Sequence, residues 1–488
     1  MKLGRFLGPL LAVIVWYLGP GDESVTAMAS IAIWMAVWWM TEAVPLAITA
    51  LLPVVLYPLL GIMPTKLIAP VYFNSIIFLF LGGFIVALAM EKWNLHRRIA
   101  LGILLTVGSS PKQILLGFML ASAFLSMWIS NTATTMMMIP IVLAVIRRVS
   151  KEADPKIARR FTVGLLLAVA YGASCGGIAT LIGTPPNPLF VSNLGLIFPN
   201  APEVSFAGWM VIGLPVALVM MTVVYLLLVR MFKVEELSGC VSREIFLEEK
   251  AELGKMSFEE KVIAIDFSLL ALLWLTRKGM MSIPGWSSLL PNGSMLDDGT
   301  VAIALALPLF LIGSRAKPGR IMDWETAQKL PWGIVLLFGG GFALARGFVD
   351  SGLSDWLGQQ MVALGNLPVV LLVLSVCLVM TFLTELTSNT ATTQMALPVL
   401  ASVAVAVNIN PLLLMLPATL SASCAFMLPV ATPPNAIIFG TERITIREMA
   451  RAGLVLNLAG AIVITTMVYL LGGLAFGCDM TVIPEWIN

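Results

Sequence analysis

Hydrophobic residues in this chain run in long blocks, and clusters of charge separate the blocks. A membrane span needs roughly 20 apolar residues, fewer where helices are short or tilted. The runs predict spans near 6–19, 25–40, 44–62, 72–90, 161–198, 207–232, 262–276, 299–313, 332–349, 411–440 and 452–476, about 11 transmembrane helices. The first run passes Gly19-Pro20 without an A-x-A site and is followed at once by more spans, so it reads as a helix and not a cleaved signal. Two further apolar stretches, 111–146 and 367–406, each hold a polar run at the middle. Their arms of about 15–20 residues suit re-entrant hairpins whose polar turn sits at membrane depth.

Composition agrees with the pattern. Of 488 residues 59% are hydrophobic and 11% charged, and mean hydropathy is +0.96. A soluble domain carries about 25% charged residues, so a soluble enzyme, a secreted scaffold and a disordered regulator are all excluded. The net charge of +2 gives no reason to expect a nucleic-acid partner. Cys175, Cys240, Cys377, Cys424 and Cys478 are scattered and form no CxxC pair, and there is no GxxxxGK[ST] phosphate loop. His96 stands alone among Glu91, Lys92, Arg97 and Arg98 and reads as interfacial, so no histidine or cysteine cluster supports an enzyme.

An internal repeat organises the chain. Residues 124–140 (FLSMWISNTATTMMMIP) and 382–398 (FLTELTSNTATTQMALP) share ten identities in seventeen positions. At the same offset of 258, Phe80, Gly82, Gly83 and Phe84 match Phe338, Gly340, Gly341 and Phe342. Further on, 183–187 (GTPPN) mirrors 431–435 (ATPPN). Residues 91–160 hold ten Lys or Arg and the aligned 349–418 none, which by the positive-inside rule turns the two hairpin openings to opposite sides. Lys2, Arg5, 147–160, 315–320, Arg443, Arg447 and Arg451 then lie in the cytoplasm with the N-terminus, while Arg277 and Lys278 fall outside as a mild violation. An inverted-topology repeat marks secondary transporters, with substrate held between the repeats near the midplane. An anion channel is the rival, but no basic residue stands in either tip.

The tips Ser130-Asn131-Thr132 and Ser388-Asn389-Thr390 offer hydroxyls and amides without charge. The Thr184-Pro185-Pro186 and Thr432-Pro433-Pro434 sequences interrupt helices, because proline lacks an N–H and clashes with the preceding turn. Helix N-termini freed in this way suit an anion, and carbonyl ends with hydroxyls suit Na⁺. Ser126 lies four residues before Ser130, and Thr384 four before Ser388, a spacing that stacks two oxygens on one helical face. Arg346 reads as interfacial or paired, Glu42 as structural, and Trp34, Trp38 and Trp39 as an interface girdle. The Glu-rich 234–261 reads as a solvated cytoplasmic linker.

The paired SNT tips, the two TPPN breaks, WMTEAVPLAITALLPVVLYPLLGI at 39–62 and LSASCAFMLPVATPPNAIIFG at 420–440 resemble the divalent anion/sodium symporter family of INDY-type dicarboxylate transporters and citrate carriers. The resemblance implies an elevator-type homodimer in the cell membrane, with a fixed scaffold and a mobile transport domain. Residues 1–71 would be N-terminal scaffold helices, and 72–206 a first repeat with hairpin 111–146 and broken helix 161–198. Residues 207–331 would be scaffold plus the linker, 332–451 a second repeat with hairpin 367–406 and broken helix 411–440, and 452–488 the final helix. It implies a first Na⁺ site at Ser126, Ser130, Asn131 and the backbone at Gly183, and a second at Thr384, Ser388, Asn389 and the backbone at Ala431. Substrate carboxylates would meet Asn131, Thr132, Thr184, Asn389, Thr390, Thr432 and Pro433. The expected function is import of succinate, fumarate or malate with two or more Na⁺. A sodium-independent dicarboxylate or citrate exchanger and a sulfate carrier stay open.

Cysteines placed at Lys151 and Gly365 in a Cys-free background should react with an impermeant thiol reagent from opposite faces of the membrane. Labelling of both from one face refutes the inverted repeat.

Overall fold

Residues 2–237, 243–279, 284–361, 365 and 367–487 are described in a computed structural model; Cys240, the linker positions 238–242 and the chain ends Met1 and Asn488 lie outside the described residues. Those residues form helices joined by short turns, with a single isolated bridge between Gly313 and Arg320 in place of any sheet. Among the described residues, seven helical segments have the length and apolarity to cross a membrane: Glu23–Thr41, Thr65–Lys92 (Thr65–Val71 followed by Ser75–Lys92), Asn131–Glu152, Pro155–Ile178, Phe206–Met231, Trp332–Asp350 and Ile446–Phe476. Several predicted spans break into shorter helices. The run 44–62 divides into Leu46–Thr49 and Leu52–Leu59, the second opening with Pro53 in its first turn. The run 161–198 divides into Pro155–Ile178 and Pro186–Ile197, and 411–440 into Leu412–Ala422 and Pro433–Phe439. Both divisions fall at the proline pairs.

Each hairpin consists of two helices around a short turn, Pro111–Ser126 with Asn131–Glu152 and Val369–Thr384 with Asn389–Ala406. The two leading arms have 16 residues each, or ~24 Å by helical rise, short of a hydrocarbon core of about 30 Å. The first hairpin starts cleanly: Ser110 and Gln113 form a reciprocal capping box and Pro111 occupies the first turn. The predicted start at 161 came too late. Asp154 caps Lys156 and Ile157, so the helix begins in the charged stretch that apolarity alone passes over.

Helix–helix contact in lipid favours small residues, which let backbones approach. A Cβ at Gly82 would meet Ala302 at 2.5 Å, and one at Gly340, its repeat mate, would meet Ala50 at 2.4 Å. The repeat mates Phe80 and Phe338 touch each other edge-to-face at 4.9 Å between centroids. Ser75–Lys92 thus packs on Asp298–Leu309, while Trp332–Asp350 packs on the short helices near Ala50.

Polar regions also depart from expectation. The stretch 234–261 is not simply a solvated linker. Its helix Glu244–Glu252 buries Phe246 against Phe118, and Arg97 reaches Glu249 at 2.5 Å. Arg98 holds Glu260 at 2.8 Å and the carbonyls of Leu253 and Gly254. Leu95–Val107, which begins inside the charged LHRR sequence, supplies these arginines. Arg277, the topological outlier, is buried and donates to Asp298 and Glu203 at 2.5 Å, while Lys278 pairs with Glu203. Trp39 is fully buried with its indole N–H on the Leu46 carbonyl at 3.1 Å, so it belongs to the packing and not to a girdle.

Gly340→Val should force Ala50 backbone aside, a misfit costing about 1–3 kcal/mol, and should lower the thermal unfolding temperature in detergent. Gly102→Ala, where a Cβ meets nothing, should hold or raise that temperature.

Candidate functional site

The two tips are built alike. Pro111–Ser126 ends at Ser126 and Asn131–Glu152 starts with Ser130 as its N-cap, its hydroxyl accepting from the Ala133 N–H at 3.2 Å. The expected stacking of Ser126 and Ser130 on one helical face therefore fails, because the chain turns between them; Thr384 and Ser388 are separated in the same way. The hydroxyls one turn before the tips find a different partner. Ser126 donates to Asn131 Oδ1, and Thr384 donates to Asn389 Oδ1 at 2.6 Å. Thr384 is also within 3.0 Å of the Ala422 carbonyl. Each half thus gathers hydroxyl and amide oxygens behind its tip. All-oxygen groups of this kind suit hard cations.

The breaks are braced by residues that sequence reasoning passed over. Asn187, the last letter of GTPPN, is fully buried and donates to the carbonyls of Gly177, Ile178 and Thr180 at 3.0, 3.4 and 2.7 Å. Asn435 closes ATPPN and donates to Ala425 and Leu428 at 3.2 and 3.1 Å. The carbonyls left open by the end of the first helix arm are satisfied by an amide from the second. The recurrence of Asn after the prolines was the available signal. Gly183 has no room for a side chain, since a Cβ there would lie 2.5 Å from the Gly177 carbonyl oxygen.

Tips and breaks open onto one cavity of about 890 Å³. Ser130, Asn131, Thr132, Gly183 and Thr184 line it from the first half, and Ser388, Asn389, Thr390, Ala431, Thr432 and Pro433 from the second. Ser126 and Thr384 do not line it; both are fully buried behind the asparagines they contact. The N-caps of four helices (Ser130, Pro185, Ser388 and Thr432) all stand on the wall. Helix N-termini carry partial positive charge, and those at the two tips, which do not open on proline, also present N–H groups, so their convergence favours an anion. Phe80, Phe84, Ile334 and Leu337 complete an apolar side. No Lys or Arg stands among the described lining residues, and Arg346 pairs instead with Asp350 at 3.0 Å. Glu42, expected to be structural, does line the cavity, from a left-handed residue (φ 46°) that ends helix Glu23–Thr41.

A polytopic helical protein with an anion-favouring cavity between two internal repeats has the makings of a membrane transporter, and solved structures support that fold. The chain is similar to the Neisseria gonorrhoeae MtrF efflux pump with TM-score 0.56 and 14% identity, over 81% of this chain and 80% of that one. It is similar to the Alcanivorax borkumensis YdaH transporter with TM-score 0.51 and 15% identity, over 84% and 89%. Residues 10–476 match the family described as the sodium:sulfate symporter transmembrane region, and the chain belongs to that family, in accord with the resemblance carried by its SNT and TPPN motifs. It is a multi-pass membrane protein and not an enzyme. Among curated relatives, the sodium-dependent dicarboxylate transporter SdcS of Staphylococcus saprophyticus is 44% identical over 98% of this chain and 93% of its own length. The protein of the same name from Staphylococcus aureus strain MRSA252 is 45% identical over 98% and 92%.

Asn435→Ala leaves two carbonyls at the break without their donor, at about 1–3 kcal/mol for each buried group unsatisfied. Its unfolding temperature should fall well below that of Asn292→Ala, a change in an exposed loop; equal values for the two would reject the brace.

Proposed function

We propose that this chain imports C4-dicarboxylates such as succinate, fumarate or malate across the cell membrane together with Na⁺. One observation carries the reading: the same hydroxyl–asparagine pair, Ser126 with Asn131 and Thr384 with Asn389, stands behind both tips of a single cavity. Packing alone asks for no hydroxyl at both positions, whereas an oxygen cage for a hard cation does. The names of relatives 44–45% identical over nearly the whole chain support dicarboxylate as substrate and Na⁺ as coupling ion.

In this reading Ser126, Ser130, Asn131 and the Gly183 backbone hold one Na⁺, and Thr384, Ser388, Asn389 and the Ala431 backbone hold another. Asn131, Thr132, Thr184, Asn389, Thr390, Thr432 and Pro433 receive the dianion. Two carboxylates, one toward each tip, use the two-fold arrangement, and two Na⁺ neutralise a charge that is costly in low dielectric. The N-terminus lies in the cytoplasm, and the chain works as a homodimer. Its hairpins and broken helices move as one body, and the N-terminal helices and those at 207–331 stay as scaffold.

Uptake of succinate into proteoliposomes should depend steeply and cooperatively on an inward Na⁺ gradient, with pH equal on both sides. Equal uptake with choline in place of Na⁺ refutes the coupling and supports an exchanger.

A further inference from the structure

Just before the tip serines the repeat breaks at three positions, Met127-Trp128-Ile129 against Glu385-Leu386-Thr387, and one of them carries a charge in the second half alone. Glu385 follows Thr384, and the residue at the matching place in the first half is Met127. Glu385 is 3% exposed. One of its oxygens accepts from the backbone N–H groups of Phe426 and Met427 at 2.7 and 2.8 Å and from Asn457 Nδ2 at 2.8 Å. The other accepts from the Leu428 N–H at 2.9 Å. Four donors converging on two oxygens is the arrangement of a carboxylate used only as an acceptor.

Phe426, Met427 and Leu428 belong to the segment 423–432 that joins Leu412–Ala422 to Pro433–Phe439. This segment has left the helix, and its consecutive N–H groups have no helical partners; Glu385 satisfies three of them at once. The other side of the segment is held as well. Tyr171 donates to the Phe426 carbonyl at 2.7 Å, and Gly453 brings Ile446–Phe476 so close that a Cβ would sit 2.4 Å from Phe426 backbone. In the first half the hairpin meets its break through a hydroxyl, Thr180 donating to the Met127 carbonyl at 2.5 Å.

The segment that Glu385 holds is bounded by Ala422, whose carbonyl touches Thr384, and by Ala431 and Thr432 on the cavity wall. Fixing it therefore fixes the oxygens of the second half-site relative to Thr384 and Asn389. All four partners of Glu385 are neutral. A buried carboxylate without a countercharge is costly, and a cation taken up beside Thr384 offsets that cost.

We propose that Glu385 is the positioning residue of the second cation half-site, holding the unwound segment in register with the tip and making this half-site the tighter of the two. The proposal rests on the sodium reading above.

The test uses the full-length chain in proteoliposomes, with NaCl against choline chloride, and reads the Na⁺ concentration for half-maximal succinate uptake, the Hill coefficient and the maximal rate. Glu385→Gln places an NH₂ where a second acceptor is needed. It should raise the half-maximal Na⁺ concentration about 10-fold or more and bring the Hill coefficient toward one, while uptake recovers at saturating Na⁺. Glu385→Asp, too short to reach both sets of donors, should fall between. Should Glu385→Gln not fold, Asn457→Leu removes one donor and keeps the carboxylate, and it should still shift Na⁺ dependence by about 3-fold or more. A lower maximal rate with unchanged Na⁺ dependence, in Glu385→Gln or in Asn457→Leu, would overturn the proposal. Sodium-independent uptake by the wild type refutes the sodium reading itself, a separate outcome.

Discussion

A peptide group that leaves a helix inside a membrane has no water to turn to, and must be satisfied by protein or ligand. Much of the centre of this molecule follows from that constraint. The proline pairs at Pro185-Pro186 and Pro433-Pro434 end one helix arm and start another, and every backbone group released by the break needs a partner. Asn187 and Asn435 supply donors to the open carbonyls. Glu385 supplies acceptors to the open N–H groups of the second break. These side chains are buried and polar because they substitute for the missing helical ladder.

The same constraint explains how an anion cavity arises without a cationic side chain. Four helix starts at the wall present dipole ends, and the two tip helices add N–H donors already paid for by the fold, so no Lys or Arg has to be desolvated. Proline at the first positions of two of these helices removes N–H groups, leaving the hydrogen-bonding burden on the tips and on the threonine hydroxyls. Buried charge is kept where it has partners: Arg277 sits between Asp298 and Glu203, and Glu385 within its ring of N–H groups. Charge on the polar flanks is paired too, where Arg97 and Arg98 dock the Glu-rich connection against the first half through Glu249 and Glu260.

The internal repeat is kept at the tips and at close helix contacts and is lost elsewhere. Phe80 meets Phe338 directly, and Gly82 and Gly340 each admit a neighbouring helix through the absence of a Cβ. The tips repeat down to a hydroxyl–amide contact. Met127 and Glu385, by contrast, occupy one place in the repeat with opposite chemistry, so the two halves are not equivalent at the segment behind the tip.

The amino-acid sequence alone determined the helical membrane class, the repeat, the hairpins and both breaks, because apolarity, proline and identical blocks are local signals. It also singled out the tip and break residues that line the cavity. It did not determine where helices begin within charged stretches, as at Leu95 and at Pro155, where the Asp154 cap outweighs local polarity. It misread Ser126 and Thr384 as sharing a helical face with the tip serines, because spacing cannot tell a continuous helix from a turn. Only the tertiary structure decided that Asn187 and Asn435 are braces, that Glu42 reaches the cavity and that Glu385 holds a distant segment. Each of those contacts joins residues whose meeting depends on how whole helices pack, and no short stretch of chain encodes that.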